Sequence, residues 1–112
     1  MKTKYKDLTI WITGASSGIG EALAIAFAKK GARIILSGRD QDRLDTVKQR
    51  CKRADTHIVI PFDISDSSQA KSAYEMAIAQ AGKIDWLINN AGISQRALIM
   101  DTDEEVERQI ME

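Results

Sequence analysis

Thr13-Gly14-Ala15-Ser16-Ser17-Gly18-Ile19-Gly20 follows directly on an apolar run and opens a segment of helical periodicity. Residues of these types at this spacing can hold an anion without a charged side chain. Gly14 allows a sharp turn out of a strand, Gly18 lets the backbone approach a bound group, and Gly20 permits close packing of helix on strand. Unpaired amides at the helix start, together with its positive dipole end, then favour a dinucleotide pyrophosphate. Glu21 stands where a P-loop carries lysine, which excludes that kind of phosphate site. The candidate cradle is Gly14, Ser16, Ser17, Gly18, Ile19 and Gly20.

Positioning these residues requires a strand before them and a helix after them, and the periodicity supplies both. Short apolar runs at Leu8 to Ile12, Arg33 to Leu36, His57 to Ile60 and Ile84 to Ile88 predict four buried strands. Ile19, Leu23, Ala26 and Phe27 recur at helical spacing before Gly31. Leu44, Val47 and Cys51 mark a second helix, and Ala70, Ala73, Tyr74, Ala77, Ile78 and Ala81 mark a third that Gly82 ends. Thr102 with Glu105 has the form of a capping box opening a fourth helix, with Val106 and Ile110 on its apolar stripe. Alternating strand and helix implies a parallel sheet with right-handed crossovers, covered on both faces.

The glycine turn after the first strand, together with Asn89-Asn90-Ala91-Gly92 after the fourth, resembles the short-chain dehydrogenase/reductase family. The resemblance runs from Leu8 to Glu112 and includes Asp63 after the third strand. It implies a Rossmann-type doubly wound α/β fold with strand order 3-2-1-4, so that the first and fourth strands meet at the switch point where ligands bind. It also implies that Asn90, Ala91 and Gly92 lie near the cofactor, on its adenosine ribose and nicotinamide side. Asp63 and Ile64 would flank the adenine, with the Asp63 carboxylate accepting from the base amino group. For Asp63 a helix-entry role beside Ser65 and Asp66 stays open, as does a purely structural role for buried Asn89.

Family members that use NAD place an acid at the end of the second strand, where it binds the ribose hydroxyls. Gly38 occupies that position here, and Arg39 follows, whose guanidinium can pair with a 2′-phosphate. NADP (NADPH) is therefore the expected cofactor in preference to NAD, although Ser17 stands where many NADP-preferring relatives carry a second basic residue, and Asp40 adds a nearby negative charge. Hydride transfer to a carbonyl also needs a proton donor, which the family supplies as a tyrosine with a lysine four residues later. Tyr5 is followed at that spacing by Thr9, and Tyr74 by Ile78. Ser94 is no substitute for the substrate-orienting serine of a later strand.

Two readings follow. One is the cofactor-binding half of an NAD(P)-dependent oxidoreductase acting on a small carbonyl or alcohol substrate, with residues 1–112 as a Rossmann domain incomplete at its C-terminus and inactive alone. The other is a non-catalytic dinucleotide-binding or protein-interaction module. In either reading the fourth strand is left as a sheet edge, its apolar surface open to another copy or another chain, and in the second reading that edge is the binding surface. Composition narrows the setting. At 44% hydrophobic and 29% charged, the 112 residues make one globular unit rather than two. Sixteen basic residues against sixteen acidic ones leave no net field to attract nucleic acid or an anionic membrane. No run approaches the about 20 apolar residues of a membrane span. The single cysteine, Cys51, together with a polar, charged N-terminus, points to a reducing cytoplasm. His57 stands without a ligand partner at metal spacing, and both it and Cys51 read as packing residues. Trp11 and Trp86 fall in strands and are assigned to the core.

Overall fold

The computed structural model describes residues 5–16 and 18–90, and the backbone of residues 98–100. The expected fourth helix, with Thr102, Glu105, Val106 and Ile110, lies outside the described residues. The elements are β1 (Thr9–Thr13), α1 (Gly18–Lys29), β2 (Arg33–Ser37), α2 (Gln41–Arg50), β3 (Ile58–Val59), α3 (Ser67–Ala81), β4 (Trp86–Asn89) and β5 (Leu98–Met100), with a 3-10 turn, Ala54–Thr56, before β3. The sheet order is β3-β2-β1-β4-β5, and the first four strands run parallel. This is the doubly wound order expected from the sequence.

β4 departs from the expectation that it would be an edge. β5 pairs with it antiparallel, setting Leu87 opposite Met100 and Asn89 opposite Leu98. An uncovered strand presents a row of unpaired N–H and C=O groups, and Leu98-Ile99-Met100 is an apolar triplet close enough in sequence to meet them.

Alternation along the strands divides the core between the two faces of the sheet. Ile10, Ile12, Ile34, Leu36 and Ile88 face α1 and α2, where they join Ala24, Ala28, Leu44, Val47 and Cys51. Trp11, Ile35 and Leu87 face α3 and pack with Ala70, Ala73, Ala77, Ile60 and Phe62. β1 is buried throughout, as the central strand of a doubly covered sheet must be. Trp11 is fully buried, whereas Trp86 is only half-buried and meets Tyr5 and Phe27 edge-on, those two rings being tilted against each other.

The apolar stripe expected on α1 is displaced. The helix buries Gly20, Ala24 and Ala28, with Leu23 and Phe27 at the margin, while Ala26 is exposed and Ile19 is 63% exposed. Small residues one turn apart let the helix lie close on the sheet, and close approach rather than bulk decides which face is buried. The other two helices begin on acidic caps. Asp40 accepts from the Arg43 amide at 3.2 Å, and Asp66 accepts from the Ser68 and Gln69 amides.

β3 is shorter than the apolar run that predicts it, because His57 leaves the ladder and replaces backbone with side chain. Its Nδ1 accepts from the Ile34 amide at 3.0 Å, and its Nε2 donates to the Lys52 carbonyl oxygen at 2.8 Å. Both ring nitrogens are thus used in the neutral form, and Nδ1 cannot keep its bond once protonated. Burial, reinforced by the charges of Arg53 and Lys48, outweighs the Lys52 bond and pushes the His57 pKa down from its ordinary value. In the unfolded chain the imidazole takes up its proton near pH ~6.5. The unfolded state therefore binds more protons than the folded state below that pH, and stability falls as the solution is acidified. Asp63 and Asp66, both held below the ordinary carboxylate value, act only in more acidic solution, at about pH 4 and below. Thermal melts recorded from neutral to acidic pH should lose stability in two separated steps, the first of them near pH ~6.5 and abolished by His57→Gln.

Candidate functional site

At the C-terminal ends of the parallel strands the chain encloses a cleft of about 350 Å³. Three segments wall it: Thr13, Gly14 and Ser16 at the end of β1, Ser37 to Asp40 at the end of β2, and Phe62 to Ser65 between β3 and α3. This is the crevice where an open α/β sheet binds ligands.

The turn after β1 sets the geometry. Gly14 and Gly18 have φ of 66° and 60°, in the left-handed region. A Cβ on Gly20 would fall 2.1 Å from the Gly14 carbonyl oxygen, so α1 starts closer to the turn than any side chain allows. The Ala15 amide donates to the Ser37 carbonyl oxygen at 3.0 Å and fixes the turn to β2. The first amides of α1, which have no intrahelical acceptor, therefore begin beside the cleft.

A second set of bonds ties β1 to β4. The Thr13 hydroxyl donates to Asn89 Oδ1 at 2.8 Å and accepts from the Asn90 amide at 3.0 Å, while Asn90 Nδ2 donates to the Gly14 carbonyl oxygen at 3.4 Å. Buried Asn89 thus has a structural task, holding together the two strand ends from which the loops diverge. Asn90 supports the glycine turn from behind.

Of the sequence-derived candidates, Gly14, Ser16, Arg39, Asp63 and Ile64 meet around the cleft. Gly18, Ile19 and Gly20 form the start of α1, and Asn90 lies beside them through its bond to Gly14. Ser17, Ala91 and Gly92 lie outside the described residues, as does Ser94. Sequence reasoning missed Ser37, Phe62 and Ser65. Ser37 is fully buried, and its hydroxyl accepts from Trp11 Nε1 at 2.8 Å. Phe62 packs against the same indole, with ring centroids 6.3 Å apart. The signal for Ser37 was available, since it closes an apolar run at the strand end where a doubly wound sheet binds, and Phe62 lies two residues past the run that ends at Ile60.

Charge in the cleft is organised by hydrogen bonds. Asp63 Oδ1 accepts from the Ser65 hydroxyl at 2.7 Å and the Ser65 amide at 3.0 Å, and these bonds, with the nearby charge of Arg39, hold its carboxyl below the usual range. It stays an ionised acceptor. Helix entry itself belongs to Asp66, so Asp63 forms a local turn and leaves Oδ2 facing no hydrogen-bond donor among the described residues. Asp40 directs its charge to the N-terminus of α2. Arg39 is exposed and makes no salt bridge among the described residues. Neither tyrosine lines the cleft: Tyr5 packs on Phe27 and Trp86, and Tyr74 stacks on Trp11 at 6.4 Å. Cys51 is buried, which raises its thiol pKa, as does the charge of Glu21. Among the described residues no group of His, Cys, Asp and Glu is arranged for a metal ion, and no helix is long and apolar enough to cross a membrane.

Fold and cleft together define a Rossmann-type nucleotide-binding architecture, and residues 8–112 match the family model described as short chain dehydrogenase. The chain belongs to the short-chain dehydrogenase/reductase family. It is 42% identical over 112 residues to dehydrogenase/reductase SDR family member 7 of Homo sapiens, covering 95% of this chain and 33% of that protein. It is 43% identical over 94 residues to 11-beta-hydroxysteroid dehydrogenase-like 2 of Arabidopsis thaliana, covering 82% of this chain and 30% of that protein. The chain thus spans about a third of the length of these curated relatives. Among solved structures, L-sorbose reductase from Gluconobacter frateurii, complexed with NADPH and L-sorbose, superposes with a TM-score of 0.72 at 35% identity, covering 82% of this chain and 36% of that one. The 3-ketoacyl-(acyl-carrier-protein) reductase from Brucella melitensis, complexed with NADH, gives 0.69 at 33% identity, covering 75% and 34%.

The contact between Gly20 and the Gly14 carbonyl leaves no room for a methyl group. Gly20→Ala should destabilise the fold by about 1 to 3 kcal/mol through overpacking, measurable by denaturant unfolding, and should weaken nucleotide binding more than Gly18→Ala, whose added Cβ meets nothing within 4 Å and costs only the strain of a left-handed φ.

Proposed function

We propose that this chain forms the NADP(H)-binding part of an oxidoreductase that transfers hydride between the nicotinamide and a small carbonyl or alcohol substrate. The observation that carries the cofactor preference is Arg39: an exposed guanidinium on the cleft wall, directly after a Gly38 that offers no carboxylate to ribose hydroxyls. Asp40, the nearest acid in sequence, is engaged as the cap of α2.

The residues fit the cofactor. The cradle around Gly14 and Gly20 admits only backbone, and the cleft beyond it is bounded by the apolar sides of Phe62 and Ile64. Gly14, Ser16, Ser17, Gly18, Ile19 and Gly20 would surround the pyrophosphate, with the α1 amides facing it. Asp63 and Ile64 would flank the adenine, Asp63 accepting from its amino group, and Arg39 would meet the 2′-phosphate. Asn90, Ala91 and Gly92 would border the ribose and nicotinamide side. When bound, the nicotinamide supplies the hydride; the part of this chain is to bind, orient and keep the phosphates out of water. The family's proton-donating tyrosine and its lysine have no counterpart at that spacing in these 112 residues, so the part assigned to them is cofactor binding.

Arg39→Asp should replace a phosphate partner with an acceptor for ribose hydroxyls and invert the ratio of NADPH to NADH affinity. Titrating both nucleotides against the wild type and the variant tests this, and an unchanged ratio would remove Arg39 from the site.

A further inference from the structure

The wall that carries Arg39 is short of positive charge for a phosphate monoester, whose charge is about −1.5 to −2 at neutral pH. The cleft residues set one cation, Arg39, against two carboxylates, Asp40 and Asp63. Asp63 stays ionised through its bonds to Ser65, so it does not relieve the deficit by taking up a proton. Position 17 is serine and adds no charge.

A second cleft, of about 260 Å³, opens between α1 and α2 and is also lined by Ser16. Ser16 lines both, so the two clefts share that residue. Its remaining walls are Glu21, Arg43, Thr46, Val47 and Arg50. Glu21 is taken by a salt bridge from Arg50, and Arg43 makes no salt bridge among the described residues. Arg43 is also the third residue of α2, in the first turn, where the helix dipole disfavours a cation. An anion bound beside Ser16 would offset that cost. We infer that Arg43 is a second specificity-determining residue, reaching the cofactor 2′-phosphate from the α2 side while Arg39 meets it from the end of β2, with the Ser16 hydroxyl between them. This rests on the NADP(H) reading above and extends it.

Dissociation constants for NADP+ and NAD+, measured on the purified chain and on Arg43→Gln, Arg43→Lys and Arg39→Gln, test the assignment. Arg43→Gln should weaken NADP+ binding about tenfold, the worth of one charge-assisted bond, and leave NAD+ unchanged. Arg43→Lys should recover part of the loss, because a charge is restored without the planar fork. A NADP+ affinity that Arg43→Gln leaves intact while Arg39→Gln lowers it would overturn the role of Arg43 and keep the cofactor reading. Equal loss of both nucleotides in Arg43→Gln would also overturn it, since the residue would then act through α2 rather than the phosphate. A wild type that binds NADP+ no better than NAD+, with both glutamine variants silent, would bring down the two together.

Discussion

Helix α1 lies so near the turn before it that the Gly14 carbonyl oxygen occupies the space a Cβ at position 20 would need. Much of the molecule follows from that approach. It brings Ala24 and Ala28 onto the sheet and turns Ile19 outward. It also sets the first amides of the helix beside the strand ends, where their unmet hydrogen-bonding capacity and the helix dipole act in the same direction. A bulkier interface would move the helix away and dissipate both effects in water.

The two sides of the turn are then fixed by different means. Toward β2 the tie is backbone, from the Ala15 amide to the Ser37 carbonyl. Toward β4 it is made by side chains, a chain of bonds through Thr13, Asn89 and Asn90 that continues where the strand ladder stops. Behind the cleft, the Trp11 indole bonds to Ser37 and packs on Phe62, so two wall residues from separate segments rest on one buried ring. The pattern is that of a preorganised surface, with little left for a ligand to rearrange.

Local chemistry made much of this legible in the sequence. The glycine spacing, the four apolar runs and the Gly38-Arg39 pair each depend on neighbours in sequence, and the structure places them in one sheet order and around one cleft. What escaped sequence reasoning depends on contacts between distant segments. The burial of Ala24 and Ala28 in preference to Ile19 follows from how near α1 sits to β1, which hydrophobic spacing alone does not encode. His57 had the composition of a strand residue, yet its ring replaces a backbone acceptor because the Ile34 amide stands opposite it. The pairing of β5 on β4 was hidden for the same reason: nothing within Leu98-Ile99-Met100 says which edge it will meet.

The tie between Thr13 and Asn89 spans 76 positions of chain, whereas Thr9 and Arg33 on the neighbouring strand are 24 apart. Loop-closure entropy rises only logarithmically, so the longer closure costs about 1 kcal/mol more than the shorter. Pairing of β1 with β2 is thus the more accessible step for an unfolded chain, and joining β4 is the slower search. A molecule that contacts both strand ends recognises only the chain that has completed this search, and by mass action it draws the population toward it. Assembly of the fold and any contact that bridges those two strand ends are in this way a single linked equilibrium.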